Sequence, residues 1–292
     1  MKVNCKKMSL TNPYTGFKIR MDKMLIHGEL GDKALFLACD QGFEHRADFT
    51  IPEAANPDYV MAIAEKAKIP LILHKGTYIR YADRHPDVPM VLKLNGKTEL
   101  FYDNRAPQGG IDCTVQEALG ICPSLVAVGY SLYVGGQKET EQLTELAEIV
   151  REARIFQFPV IVWAYVRQHN PRLKEEEGKW ENVRYAARVA FENGADMVKL
   201  YYPENTEGLK KVKEYAPGIF CVIAGGAKAD TVQIAYNTAY EIVHILDGMA
   251  IGRNIFQDPK PINKALGYKA IFEGKSVEQA LEIYNRDKIV VL

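Results

Sequence analysis

The chain has 292 residues, of which 47% are hydrophobic and 25% are charged, as in a soluble globular protein with a large core. Lysine plus arginine and aspartate plus glutamate both number 37, and this zero formal charge excludes a general attraction to nucleic acid or to a membrane surface. The longest apolar stretch, residues 155–166, is shorter than the roughly 20 residues that cross a bilayer, and residues 1–30 hold no apolar run typical of a signal peptide. We therefore expect a cytoplasmic protein.

Eight short runs of β-type residues alternate with helical patterns along most of the chain. They are Ala34–Asp40, Ile69–Lys75, Met90–Asn95, Leu125–Leu132, Val160–Tyr165, Asp196–Tyr202, Ile219–Gly225 and Met249–Gly252. Apolar residues recur at helical spacing in Glu139–Phe156 and Lys179–Asn193, and a short helix is predicted at Val115–Leu119. Strands that alternate with helices predict a parallel sheet with helices outside it.

The number and size of these units favour a barrel. Eight strand–helix units fit the about 250 residues of a TIM barrel, whereas a doubly wound sheet would normally carry a glycine-rich dinucleotide turn after its first strand. The first strand ends instead in Asp40–His45. We predict an α/β fold, a (β/α)8 TIM barrel in a single domain over residues 34–292, with residues 1–33 as an N-terminal extension that packs on the barrel.

Lys199 is a single cation in the apolar run Asp196–Tyr202. A charged ammonium is rarely buried in a strand without a purpose. A lysine in a dry pocket loses affinity for its proton, and the neutral amine can attack a carbonyl to form a Schiff base. The alternative is that Lys199 pairs with a buried carboxylate for structural reasons.

Other polar and aromatic residues lie at strand ends, where catalytic groups of a TIM barrel are found. They are Asp40, Lys93, Trp163 and Tyr165. Each has a structural alternative, because an aspartate can cap a turn, the aromatic residues can fill the core and a lysine can form an ion pair. Their coincidence with Lys199 favours an active site.

Glycine turns follow the last two strands of the predicted barrel, within Val222–Ala227 and Gly248–Asn254. Glycines let backbone N–H groups approach phosphate oxygens, and an arginine can add a charge-assisted bond. We predict a phosphate site at Gly225, Gly226, Gly252 and Arg253. The alternative is that both segments are merely tight turns of a barrel.

The six histidines show neither HxxH nor HExxH spacing, so a zinc-dependent enzyme has little support and no metal is expected. His45 is a candidate site residue because it follows Asp40 by one turn of the loop.

Taken in order, these motifs resemble the archaeal-type class I fructose-bisphosphate aldolases. The resemblance covers roughly residues 34–284 and rests on Asp40–His45, Tyr81–Lys97, Val128–Tyr133, Trp163–Arg167, the strand that contains Lys199, Ala224–Gly226 and Gly252–Asn254. It implies a TIM barrel that cleaves fructose 1,6-bisphosphate to dihydroxyacetone phosphate and glyceraldehyde 3-phosphate in glycolysis or gluconeogenesis. It also implies small sugar phosphates as the substrates, no metal or other cofactor, and a homo-oligomer such as a decamer.

The resemblance assigns roles to the strand-end residues. Lys199 resembles the Schiff-base lysine, and Tyr165 the proton donor and acceptor. Asp40 resembles the acid that orients the nucleophile and the carbinolamine, and Trp163 forms a wall of the substrate pocket. Lys93, on the same interior surface, is the cation that we expect to lower the pKa of Lys199.

The same resemblance places the phosphate of the dihydroxyacetone half on the glycine turns, with His45 and Arg167 as candidates for the other phosphate. This chain departs from the family motif at Val166 and Gln168, which replace proline and glycine. Two alternatives stay open: a related lysine-dependent phospho-transaldolase or thiolase acting on another keto-phosphate, and a barrel without catalysis that serves as a binding or scaffold protein.

Overall fold

The computed structural model describes residues 15–45, 49–100, 107–167, 178–225 and 229–291. Within these residues, eight parallel strands form a closed barrel, as predicted. They are β1 (Gly31–Ala38), β2 (Leu71–Leu73), β3 (Met90–Lys93), β4 (Leu125–Val134), β5 (Val160–Val166), β6 (Met197–Leu200), β7 (Phe220–Ala224) and β8 (Gly248–Ile251). Each strand pairs with the next along the chain, and β8 pairs with β1 to close the ring.

Helices precede, connect and follow the strands, and the longer ones cover the outside of the barrel. They are α1 (Thr15–Asp22), α2 (Gln41–Glu44), α3 (Pro57–Ala67), α4 (Lys75–Tyr81), α5 (Val115–Ile121), α6 (Glu139–Ile155), α7 (Trp180–Glu192), α8 (Thr206–Tyr215), α9 (Val232–Ile245), α10 (Arg253–Phe256), α11 (Pro261–Phe272) and α12 (Val277–Asn285), with 3-10 turns at Pro52–Ala55 and Ala82–Arg84. The helices predicted at residues 115–119, 139–156 and 179–193 are confirmed. In the described part of the chain, no helix has the length and apolar character that a bilayer crossing requires.

The observed strand ends differ from the predicted ones where local chemistry favours another element. The strand predicted at Ile69–Lys75 is confined to β2, because the chain turns at His74 and Lys75 begins α4. β1 starts at Gly31, where a positive φ of 82° makes the tight turn of a hairpin with the antiparallel strand Leu25–Gly28. Residues 1–14 lie outside the described residues, so the extension over residues 1–33 stays a prediction.

Apolar side chains fill the barrel from its N-terminal end. Phe17, Met21 and Met24 pack there against inward-facing residues such as Phe36 and Ile161. The N–H of Gly16 donates to Oε1 of Gln157 at 2.7 Å, which attaches α1 to the segment before β5. Because this end is closed and apolar, polar chemistry is confined to the mouth formed by the C-terminal ends of the strands.

Candidate active site

Four charged side chains meet in the barrel mouth beside one indole ring. Nζ of Lys93 lies 3.4 Å from Oδ2 of Asp40 and also contacts Glu44. Lys93 is only 1% exposed and Lys199 only 6%. The two ammonium nitrogens lie 5.4 Å and 5.2 Å from the centre of the Trp163 ring. The structure therefore brings three of the four predicted strand-end residues, Asp40, Lys93 and Trp163, together with Lys199. The fourth, Tyr165, lies one layer above Trp163.

Sheet register explains this meeting. Trp163 on β5 is paired with Lys199 on β6, so the two side chains lie in one layer on the interior face. Lys93 on β3 is paired with Gly129 on β4. A Cβ at Gly129 would lie 2.2 Å and 2.4 Å from two atoms of the Trp163 ring, so only glycine leaves space for the indole.

The segment after β1 supplies the two carboxylates. Asp40 precedes α2 and Glu44 is its last residue, so one helical turn brings both side chains to Lys93. Among the described residues, Asp40 makes no capping hydrogen bond with α2. The structural role considered for Asp40, the capping of a turn, is therefore wrong. The ion pair considered for Lys93 is present.

Burial and neighbouring charges shift the pKa values of the two lysines in opposite directions. Burial lowers the pKa of Lys199, and Lys93 lowers it further, although Asp40 and Glu44 act in the opposite direction. For Lys93, the effect of burial is outweighed by Glu44 and Asp40, and its pKa is raised. Burial disfavours the Asp40 anion, but Lys199 and Lys93 outweigh burial and lower the pKa of this carboxyl. Lys93 is thus the stable cation, and Lys199 loses its proton the more easily.

Tyr165 lies in a stack of aromatic rings above Trp163. Its ring is 4.3 Å from that of Tyr201, with 19° between the planes. Burial, followed by the neighbouring Tyr201 and Asp40, raises the pKa of Tyr165 well above its ordinary value, so the phenol keeps its proton. The adjacent Val166 points away and packs in the outer core under the helices. The departure from the family motif at Val166 therefore does not face the mouth, and Gln168 lies outside the described residues.

A cationic corner lies next to this stack. The guanidinium carbon of Arg167 is 5.2 Å from the centre of the Tyr133 ring, and its Nη2 donates to Oη of Tyr201 at 3.1 Å. Nζ of Lys97 approaches the same Tyr133 ring at 5.9 Å. Burial and the charge of Arg167 lower the pKa of Lys97. His45, by contrast, is exposed at the end of α2.

The two predicted glycine turns lie against each other and against β1. A Cβ at Gly252 would lie 2.8 Å from the carbonyl oxygen of Ala38, and one at Gly225 would lie 3.0 Å from Cα of Ile251. The 5% exposed Asn254 joins the turns, since its Nδ2 donates to the Gly225 carbonyl at 3.0 Å. Arg253 follows Gly252 and is half-buried. Gly226 lies outside the described residues.

Several residues that shape the site were not predicted from the sequence. Glu44 and Asn254 could have been found from the sequence, because each lies within a motif that contains a predicted site residue. His74 had only its position after an apolar run. Asn95, two residues after Lys93, has a structural role: its side-chain amide donates to the Ser131 carbonyl at 2.9 Å and accepts from the Ser131 N–H at 2.7 Å. Among the described residues, no group of three or more histidine, cysteine, aspartate or glutamate side chains could hold a metal ion.

Comparisons with known proteins agree with this geometry. A class 1 fructose-bisphosphate aldolase from Thermoproteus tenax is 34% identical over 86% of this chain and 94% of its own. A protein of the same name from Halobacterium salinarum is 32% identical over 85% and 94% of the two chains. The solved structure of an archaeal fructose-1,6-bisphosphate aldolase, with its catalytic lysine covalently bound to the carbinolamine intermediate, aligns with a TM-score of 0.79. It is 31% identical and covers 87% of this chain and all of its own.

A family model described as DeoC/LacD family aldolase matches residues 34–258, the segment that runs from Ala34 within β1 through the other seven strands to the turn after β8. This chain therefore belongs to the DeoC/LacD aldolase family.

Proposed function

We propose that this protein is a class I fructose-1,6-bisphosphate aldolase, a lyase that reversibly forms dihydroxyacetone phosphate and glyceraldehyde 3-phosphate. The observation that carries the proposal is Lys199, buried in the barrel mouth with a lowered pKa beside the fixed cation of Lys93. The relatives' names and the lysine-bound carbinolamine of a similar structure support it.

The first chemical step is carbon–nitrogen bond formation. The neutral amine of Lys199 adds to the C2 carbonyl of the open-chain ketose, and proton transfer from nitrogen to oxygen gives a neutral carbinolamine. Tyr165, which burial keeps protonated, donates its proton to the C2 hydroxyl. Water leaves, and the products of this step are a protonated imine on Lys199 and a Tyr165 phenolate.

The second step breaks the C3–C4 bond. The Tyr165 phenolate accepts the proton of the C4 hydroxyl, the aldehyde leaves, and the bonding electrons move to the imine to form an enamine. Arg167, whose guanidinium carbon lies 5.6 Å from the Tyr165 ring, stabilises the transient phenolate. Return of a proton to C3 and hydrolysis of the imine release dihydroxyacetone phosphate and free Lys199. No metal or other cofactor takes part in these steps.

The phosphate groups of the substrate are assigned to the two ends of the mouth. The phosphate of the dihydroxyacetone half binds Gly225, Gly226, Gly252 and Arg253. This assignment is supported by the close packing of the two turns and by Asn254, which ties them together. The second phosphate binds at the corner of Arg167 and Lys97, where two cations approach one ring, with His45 as a further candidate.

Sugar phosphates are accordingly the small-molecule partners, and glycolysis or gluconeogenesis is the proposed setting. A homo-oligomer such as a decamer and a cytoplasmic location remain predictions from the sequence.

The proposal is tested by a coupled assay for cleavage of fructose 1,6-bisphosphate, with and without EDTA, together with borohydride trapping. We expect cleavage that survives EDTA, and an adduct of dihydroxyacetone phosphate on Lys199 detected by mass spectrometry. Lys199→Met should lose both, because no other side chain replaces the amine. Absence of cleavage and of the adduct would exclude the aldolase and the transaldolase alike, whereas an adduct without cleavage would favour the transaldolase.

Tyr165→Phe tests the proton transfer. We expect the cleavage rate to fall by about 10²–10⁴, the usual contribution of general acid–base catalysis, because phenylalanine keeps the ring but cannot exchange a proton. Tyr201→Phe is the matched control, since it removes the hydroxyl of the stacked ring and should lower the rate far less. Steady-state rates with fructose 1,6-bisphosphate measure both. Similar losses in the two variants would remove Tyr165 from this role.

Lys93→Met tests the electrostatic role of Lys93. The change removes a cation that lowers the pKa of Lys199 and leaves Asp40 and Glu44, which raise it. More of Lys199 is then protonated at a given pH, so the acidic limb of the kcat/KM profile should move to higher pH. Lys33→Met is the control, because Lys33 is a buried lysine outside the mouth that donates to the Leu246 carbonyl at 2.9 Å. An acidic limb that stays in place in Lys93→Met would contradict this role.

A further inference from the structure

Two buried lysines in the barrel mouth border the same groups, although the mechanism above uses the amine of one alone. Nζ of Lys93 and Nζ of Lys199 both lie over the Trp163 ring, 5.4 Å and 5.2 Å from its centre. The Asp40 carboxylate interacts with both lysines. Either primary amine could add to a carbonyl once it is neutral. Proximity to the indole therefore does not by itself assign the nucleophile.

Glu44 distinguishes the two lysines, and the mechanism gives this residue no part. Its Oε2 contacts Nζ of Lys93, and its side chain is only 11% exposed. Oε1 of the same carboxylate is buried and has no hydrogen-bond partner among the described residues. Within that part of the chain, Glu44 forms an ion pair with Lys93 and none with Lys199.

The charge of Glu44 determines the protonation of Lys93. Burial favours the neutral amine, and Lys93 is only 1% exposed. Glu44, followed by Asp40, outweighs burial and raises the pKa of Lys93. Without Glu44, the single carboxylate of Asp40 would serve both Lys93 and Lys199. A buried ion that loses its partner is strongly destabilised, and a lysine relieves this cost by releasing its proton.

The other titratable groups around Lys93 do not replace Glu44. They are Asp40 before α2, His74 after β2, Lys97 after β3, Tyr133 on β4 and Lys199 on β6. Burial and the charge of Lys93 lower the pKa of His74, and burial raises the pKa of Tyr133 to about 12, so both rings are neutral near pH 7. Lys97 carries the same charge as Lys93 and cannot compensate it.

We propose that Glu44 is a positioning residue that assigns the nucleophile: it keeps Lys93 protonated and so restricts imine formation to Lys199, and in its absence Lys93 becomes a second imine-forming amine. This inference rests on the proposed function, because it assumes that a ketone phosphate binds beside the two lysines.

The reaction expected of a neutral Lys93 is the one assigned to Lys199. Its amine adds to the C2 carbonyl of dihydroxyacetone phosphate, and a carbon–nitrogen bond forms. The C2 hydroxyl that results takes a proton from the solvent and leaves as water, so the product is a protonated imine. Borohydride then transfers hydride to the imine carbon and leaves a stable secondary amine on the lysine.

Borohydride trapping in a chain that lacks Lys199 tests this role as a gain of reactivity. Lys199→Met and the double variant Glu44→Gln/Lys199→Met are each incubated with dihydroxyacetone phosphate and borohydride, and peptide mass spectrometry locates the adduct. We expect little adduct on Lys93 in Lys199→Met and at least about tenfold more in the double variant. The reason is that lowering the pKa of an amine by one unit gives about tenfold more of its neutral form.

Three further variants serve as controls. Glu44→Gln alone keeps Lys199 and should divide the adduct between Lys199 and Lys93, which also shows that the variant binds the ketone. Glu44→Ala/Lys199→Met removes the carboxylate in a second way and should also give the Lys93 adduct. Glu117→Gln/Lys199→Met is the matched control, because Glu117 pairs with the partly exposed Lys75 at 3.0 Å, and it should give no more adduct on Lys93 than Lys199→Met does.

The outcomes separate this inference from the proposed function. Absence of adduct on Lys93 in both Glu44 double variants would overturn the role of Glu44, even if wild-type protein cleaves fructose 1,6-bisphosphate. Equal adduct on Lys93 in Lys199→Met, where Glu44 is present, would overturn it as well. Adduct on Lys93 that requires loss of Glu44, in a protein that fails to cleave fructose 1,6-bisphosphate, would support the role and overturn the aldolase. No adduct in any variant or in wild-type protein would overturn both.

Discussion

Two lysines and two carboxylates share a water-poor barrel mouth, and the balance of these four charges is the constraint on which the site depends. An unpaired ion in such a place is costly, and removing one partner leaves another charge buried without compensation. Lys93 lies against both Asp40 and Glu44 and is held as a cation. Within the described part of the chain, Lys199 has no ion pair of its own, so burial acts on it with less compensation. The arrangement thus supports one fixed cation and one amine that loses its proton readily.

The scaffold around these charges permits little adjustment. The indole of Trp163 fits only because Gly129 has no side chain, and the side-chain nitrogens of Lys93 and Lys199 lie at similar distances from its ring centre. The side-chain amide of Asn95 bonds both the N–H and the carbonyl of Ser131 and so links the end of β3 to β4. Such groups fix the positions of side chains before any substrate arrives, and this preorganisation is how an active site avoids reorganisation costs during the reaction.

The fold and the central residue were predictable from local patterns. Short apolar runs that alternate with segments of helical periodicity identify the strands from the sequence alone. Lys199 stands out because it is a charged residue inside such a run. The contacts of Lys93 with its carboxylate partners depend instead on α2, the single helical turn that follows β1. The contacts of Arg167 depend on rings from β4 and β6, which are distant in sequence. His74 is a lone histidine after a three-residue strand, and only the closed barrel brings it to the mouth. What escaped prediction is therefore set by tertiary packing.

The most direct test of this account is the titration of Lys199 itself. Protein labelled with ¹³C at the lysine ε-carbon can be followed by NMR over pH, and the Lys199 resonance is identified by its absence in Lys199→Met. We expect Lys199 to titrate below the ordinary lysine value of about 10.4, and below Lys93 in the same protein. A Lys199 that titrates at or above the ordinary value, or above Lys93, would contradict the assignment of Lys199 as the amine that loses its proton.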